Sequence, residues 1–221
     1  KGFGDYAIIY SFFSVGALLV SAGLPDGLRR QVTAVSDQHR TGIIGFYFRY
    51  GIYSAVGTIV AVWVFVKSGV IATFYPPRFN HYFLILSLIL ATNLLFELVR
   101  AVMMAESGEH RSETLRVLHR IVAIGGGILL VLQGFDVTGV FISFVIAGVA
   151  TSVIGVYLIQ DHIHFSAIFA PELPGTRTEF LSYSSIIMLQ GALGALLLNS
   201  DIILLGSFIN GEGAGYYKAA L

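Results

Sequence analysis

Six stretches of this chain are each long and apolar enough to cross a bilayer, and they limit the fold more than any other feature. They run over about residues 6–24, 43–66, 82–104, 117–133, 140–159 and 181–208. A spanning helix needs about 20 mostly apolar residues. Hydrocarbon offers no water to backbone N–H and C=O groups, so only helices and closed barrels can cross it. Barrel strands are about 10 residues long and alternate in polarity, which these runs do not. The fold class is therefore all-α, a polytopic transmembrane helix bundle. The composition agrees: 56% of residues are hydrophobic and 12% charged, against about 25% charged in soluble domains.

The charge that remains is balanced, with 13 basic and 13 acidic residues. No net field steers this chain toward nucleic acid. Cysteine is absent, which removes disulfides and thiolate metal sites. His162 and His164 lie two apart in a loop without a third ligand, so no metal or cofactor is expected. Gly125–Gly127 falls inside an apolar run rather than after a strand, and reads as a close helix contact or kink instead of a nucleotide loop. Gly148 with Ser152, and Gly191 with Ala195, have the same small-residue spacing.

Basic residues in the connecting loops set the orientation. Loops after the first, third and fifth runs, with the run ends that flank them, carry eight arginines: Arg29, Arg30, Arg40, Arg100, Arg111, Arg116, Arg120 and Arg177. The other side has four basic residues, Lys1, Lys67, Arg78 and Lys218. The first set is expected in the cytoplasm. Trp63, Tyr75, Tyr82 and Phe83 then gather at the outer boundary as an aromatic belt. The segment 67–81, with Pro76-Pro77, and the turn 134–139 read as outer connectors, while Gln160–Thr178 holds Pro171, Pro174 and Gly175 and reads as a linker. Lys1 is not an initiating Met, and Tyr216 to Leu221 reads as the first turn of another helix, so the chain is expected to be part of a longer protein. Gly2-Phe3-Gly4-Asp5-Tyr6 before the first run is echoed by Gly213-Ala214-Gly215-Tyr216-Tyr217, as two parallel halves would produce.

Three segments in order resemble a known family. Gly4-Asp5-Tyr6-Ala7, with the run ending Ala22-Gly23-Leu24-Pro25-Asp26-Gly27-Leu28-Arg29-Arg30, is similar to the second helix of polysaccharide flippases. These belong to the multidrug/oligosaccharidyl-lipid/polysaccharide (MOP) exporter superfamily. Leu98-Val99-Arg100-Ala101 looks like the end of that family's fourth helix. Asp201 to Phe208, followed by Gly215-Tyr216-Tyr217-Lys218-Ala219-Ala220-Leu221, resembles its seventh helix and the start of its eighth. The resemblance implies two six-helix lobes around a central cavity, rocking between inward- and outward-open states. Residues 1–159 would then hold most of the first lobe without its first helix. Residues 160–179 would be a cytoplasmic interlobe linker, and 180–221 the start of the second lobe.

Polar groups inside the spans are the candidate site. An ionisable residue at the centre of a spanning helix costs about 2.5–3.5 kcal/mol on insertion scales and tends to face a cavity. Asp201 lies roughly 10 Å from the outer end of its run at 1.5 Å per residue, too deep for a short carboxylate to reach water. It reads as a cavity residue or as a structural hydrogen-bond partner, and neighbouring Asn199 serves either role. Arg49 is a phosphate-binding fork or a side chain snorkelling to the headgroups. Glu97 is expected to pair with Arg100 three residues on, or with Arg49. Arg30, beside Arg29, marks the inner headgroup level or a basic entrance for an anionic substrate. Asn93, Gln133 and Gln190 read as helix-packing groups. Arg111, Glu113, Arg116 and His119 read as a solvated face of a cytoplasmic helix extension.

The leading expectation is a flippase of the cell membrane, moving lipid-linked oligosaccharide or polysaccharide units outward among membrane lipids, with Na+ or H+ as a coupling ion. A cation-coupled drug or metabolite antiporter would carry a carboxylate cluster in the first lobe, where only Glu97 lies in a span. A membrane-embedded glycan polymerase or glycosyl transferase would carry acidic residues on a large outer loop, whereas Asp136 and Glu212 are the main ones here. No nucleophile–base–acid set is recognisable, so a transporter rather than an enzyme is expected.

Overall fold

The computed structural model describes residues 2–21, 23–35, 37–160, 175–208 and 216–217. The segment 161–174, which holds most of the expected linker with His162 and His164, lies outside them, as do Asn210 and Gly213–Gly215. Eight helices are numbered among the described residues: α1 (Gly2–Ser21), α2 (Leu24–Ala34), α3 (Asp37–Lys67), α4 (Val70–Phe74), α5 (Arg78–Ser107), α6 (Glu109–Leu132), α7 (Asp136–Leu158) and α8 (Thr176–Phe208). Six spans are long and apolar enough to cross a membrane, the first running from α1 through α2. This is a multi-pass membrane protein.

The helices reach beyond the apolar runs. α6 starts at Glu109 and α3 at Asp37, each several residues before hydropathy rises. Hydropathy marks the part of a helix in hydrocarbon, whereas intrahelical hydrogen bonds continue through the polar headgroups. α2 is a separate helix that the apolar runs did not reveal. The chain turns at Gly23, whose φ of 70° places it in the left-handed region. Pro25 then opens α2, where its fixed φ and missing N–H cost nothing. Leu24, Gly27, Leu28, Gln31 and Val32 form the buried face of α2, at the spacing of an amphipathic helix. The connector 67–81 likewise contains the short helix α4.

α5 is the hub. It packs against α1, α2, α3, α4, α6 and α7, which explains why it is apolar on every side. α6 pairs with α7, and α8 lies along α1. Small residues set the closest approaches: a Cβ on Gly155 would lie 2.4 Å from Val99 Cγ1, and one on Gly148 2.7 Å from Thr92 Oγ1. Within the Gly125–Gly127 run, Gly126 and Gly127 make a helix contact, as expected, while Gly125 faces open space. Ser143 Oγ of α7 would meet a Cβ on Gly126 at 2.5 Å, and it donates to the Ala123 carbonyl at 2.7 Å.

The apolar core divides into two levels. The arginine-rich end has Leu28, Phe46, Tyr47, Leu98, Val102, Met103 and Phe180. The opposite end has Ile8, Ile9, Phe79, Phe83, Leu86, Phe141 and Ile202. The aromatic belt is smaller than expected. Trp63 is exposed, but Tyr75 and Phe83 are each 8% exposed and pack on Phe12, with ring centroids 5.8 and 4.9 Å away. Contact with that third ring turns them into the bundle.

Candidate functional site: a graded cavity between four helices

α1, α5, α6 and α7 line an open cavity of about 510 Å³. Its lining changes character along its length. Near the start of α1 it is aromatic, with Tyr6, Tyr10 and Phe13 from α1 and Phe144 from α7. Tyr6 stacks on Tyr10 at 5.8 Å and on Phe141 at 5.9 Å. The spacing i, i+4, i+7 places all three α1 rings on one face. Asn93 and Phe96 of α5 occupy the middle. Toward the arginine-rich end the wall carries Glu97, Arg116, His119 and Arg120.

Three ion pairs organise the charged end. Glu97 accepts two hydrogen bonds from Arg100 Nη1, at 2.8 and 3.0 Å. The local pair expected from their spacing is therefore present. Arg100 reaches across to α6 as well, with Nη2 3.4 Å from Glu113 Oε1, and Glu113 also pairs with Arg116. His119 lies flat on Phe96, with centroids 4.4 Å apart. Its Nδ1 is 3.1 Å from Thr151 Oγ1. Arg111 and Arg116 are exposed, as a solvated helix face requires, whereas His119 is packed between Phe96 and Thr151. α5 and α7 thus draw His119 into the cavity wall, beside the exposed Arg116 and Arg120.

The other sequence-selected residues lie elsewhere. Arg49 sits half-buried on α3, and among the described residues none of α3 lines this cavity. Arg30 of α2 stands over the Tyr183 ring of α8 at 4.6 Å. Asn199 donates to the Ala195 carbonyl of its own helix at 2.9 Å. With Ser14 and Gln190, it also lines a wide groove between α1 and α8. Asp201 Oδ1 accepts the Ile202 amide at 2.9 Å and the Tyr217 hydroxyl, so it ties α8 to the segment beyond it. Of the five residues, only Glu97 lines the graded cavity.

Sequence reasoning missed one further constellation. Asp5, only 4% exposed, accepts two hydrogen bonds from Arg78, Nε to Oδ2 at 3.0 Å and Nη2 to Oδ1 at 3.1 Å. Its position before the first apolar run marked it only as part of a motif. The aromatic repeat Tyr6-Tyr10-Phe13 was a readable signal. Arg120 had none, because only its partner helices place it on the cavity. Over its whole length, residues 1–221, the chain matches the family model described as polysaccharide biosynthesis protein. Neither curated proteins nor solved structures give a match.

Proposed function

Because this chain belongs to the polysaccharide biosynthesis protein family, we propose that it is a MOP-type flippase that carries lipid-linked glycan units across the cell membrane. The graded cavity carries this reading. A lipid-linked glycan combines sugar rings, whose C–H faces suit aromatic side chains, with acidic groups that suit guanidiniums. The lining of Tyr6, Tyr10, Phe13 and Phe144 at one end and Glu97, Arg116, His119 and Arg120 at the other offers both in one space. Ionisable groups at this depth in a bundle mark a pathway by default. On this reading Arg30, Arg49, Asn199 and Asp201 belong to the wider pathway, and α8 opens the second lobe.

The test is transport by the full-length protein. Cells lacking the native protein, supplied with it on a plasmid, should regain glycan on the outer leaflet. A double replacement, Tyr6→Ala with Tyr10→Ala, should lower that signal strongly while the protein still accumulates in the membrane. Normal export by the doubly replaced protein would remove the cavity from the pathway. Glycan elongation without any change in sidedness would move the assignment to a polymerase.

A further inference from the structure

The aromatic end of the cavity continues into a second, much smaller one of about 20 Å³. Tyr6, Tyr10 and Ile89 border both. Ile9, Leu86 and Phe141 form the far wall of the small one. Each of these three is 3% exposed or less, so the wall is close-packed and resists reshaping. Only carbon lines the space, since Tyr6 and Tyr10 turn ring atoms to it and not their hydroxyls.

Size and dryness together select what enters. One water-sized group needs about 10–15 Å³, so this notch takes a single small group and no sugar ring. A water molecule there would find no hydrogen-bond partner, and such spaces stay dry. A methyl group meets both conditions. A hydroxymethyl group does not, because its hydroxyl would be buried without a partner. The next turn of α5 shows what could carry the methyl. Leu86, Ile89 and Asn93 stand at i, i+3 and i+7 on one face of that helix. Asn93 lines the large cavity, and its amide has no hydrogen bond among the described residues. An amide both donates and accepts, which suits neighbouring ring hydroxyls. Tyr10, 40% exposed and stacked on Tyr6 at 5.8 Å, gives the ring a surface to lie on.

We infer that the aromatic end of the cavity is a subsite for a 6-deoxy sugar, with its methyl group in the notch beside Leu86 and Ile89 and its ring hydroxyls on Asn93. This inference rests on the flippase reading and adds that the glycan carries a deoxy sugar.

Binding to the full-length protein in nanodiscs tests it, with D-fucose, D-galactose and N-acetylgalactosamine as probes. D-fucose and D-galactose differ only in a methyl against a hydroxymethyl group, and D-fucose should bind about tenfold tighter or more. Ile89→Thr keeps the branched shape and adds a hydroxyl to the notch, so the preference should fall to about threefold or less. Asn93→Leu should weaken both sugars about tenfold and leave the preference intact. Should Ile89→Thr fail to fold, Phe13→Trp decides. Phe13 is partly exposed and borders both cavities, and added bulk there should bring D-fucose down to the level of D-galactose. D-galactose binding as tightly as D-fucose would reduce the notch to a packing gap and overturn the subsite. N-acetylgalactosamine binding tighter than D-fucose would overturn the deoxy assignment in favour of an acetamido group. The outer-leaflet assay, run in parallel, keeps the two readings apart: export with no preference sinks the subsite alone, and a preference without export sinks the flippase reading alone.

Discussion

The Asp5–Arg78 pair joins the first and third spans at the end away from the arginine cluster, and its worth can be estimated. Asp5 is 4% exposed, and both its oxygens are bonded to one guanidinium at 3.0 and 3.1 Å. Removing the cation from a buried pair costs about 3–5 kcal/mol, because the remaining charge is buried without compensation. The Arg78 side chain is 48% exposed, so water screens the pair from that side and the low end applies, about 3 kcal/mol for Arg78→Gln. Asp5→Asn removes the charge but keeps one acceptor, at about 2 kcal/mol. In the double variant two neutral amides face each other, so the losses should not add, and a coupling of about 1.5 kcal/mol is expected. Equilibrium unfolding in mixed micelles of the wild type, both single variants and the double variant measures it. A coupling below about 0.5 kcal/mol, the usual scatter of additivity, would refute the claim that this pair fastens α1 to α5.

Tyr75 gives a pH prediction. Its hydroxyl donates to the Ile203 carbonyl of α8 at 2.9 Å, and burial pushes its ionisation from 10.0 up to about 12. A raised value means that the folded protein holds the proton more tightly, so this contribution is intact below pH 10 and lost as pH climbs toward 12. A cross-link or distance label between α4 and α8 should report separation in that window for the wild type, and Tyr75→Phe should remove this step. Gly155→Ala should lower the melting temperature in detergent, since its Cβ would lie 2.4 Å from Val99 Cγ1, whereas Gly125→Ala, with nothing within 4 Å, should not; equal melting of the two would undo the close-contact reading. For orientation, Ser68→Cys should react with an impermeant thiol reagent in intact cells and Glu109→Cys should not. Both sites are exposed in a chain without cysteine, and the reverse pattern would invert the topology.

The spans were legible because hydrocarbon imposes one rule along the whole chain, and every apolar run became a helix. Their ends were less legible. Glu109 precedes the helix extension read from Arg111, Glu113, Arg116 and His119, yet α6 already starts there. α2 was hidden because, along the sequence, Arg29 and Arg30 interrupt the residues of its apolar face, Leu24, Leu28 and Val32. Within the site, Glu97–Arg100 could be read because both partners are on one helix. The cavity could not, because Tyr10, Glu97, Arg120 and Phe144 meet only through the packing of α1, α5, α6 and α7. Hydropathy also treats Tyr75 and Phe83 like Trp63, though an aromatic cluster with Phe12 draws the first two inward.

The local character of the Glu97–Arg100 pair has a consequence for how the chain enters a bilayer during synthesis. α5 emerges before α6 exists, so neither Glu113 nor Ser112 is yet present to receive Arg100. A carboxylate and a guanidinium one turn apart can neutralise each other as soon as that turn winds. The third span can therefore leave the insertion machinery as a nearly neutral helix, without an unpaired charge facing lipid. When α6 arrives, Arg100 need only reach outward, with Nε 3.4 Å from Ser112 Oγ and Nη2 at the same distance from Glu113. The charges that later wall the cavity are thus brought into the membrane already paired, and Arg120 follows on the next helix.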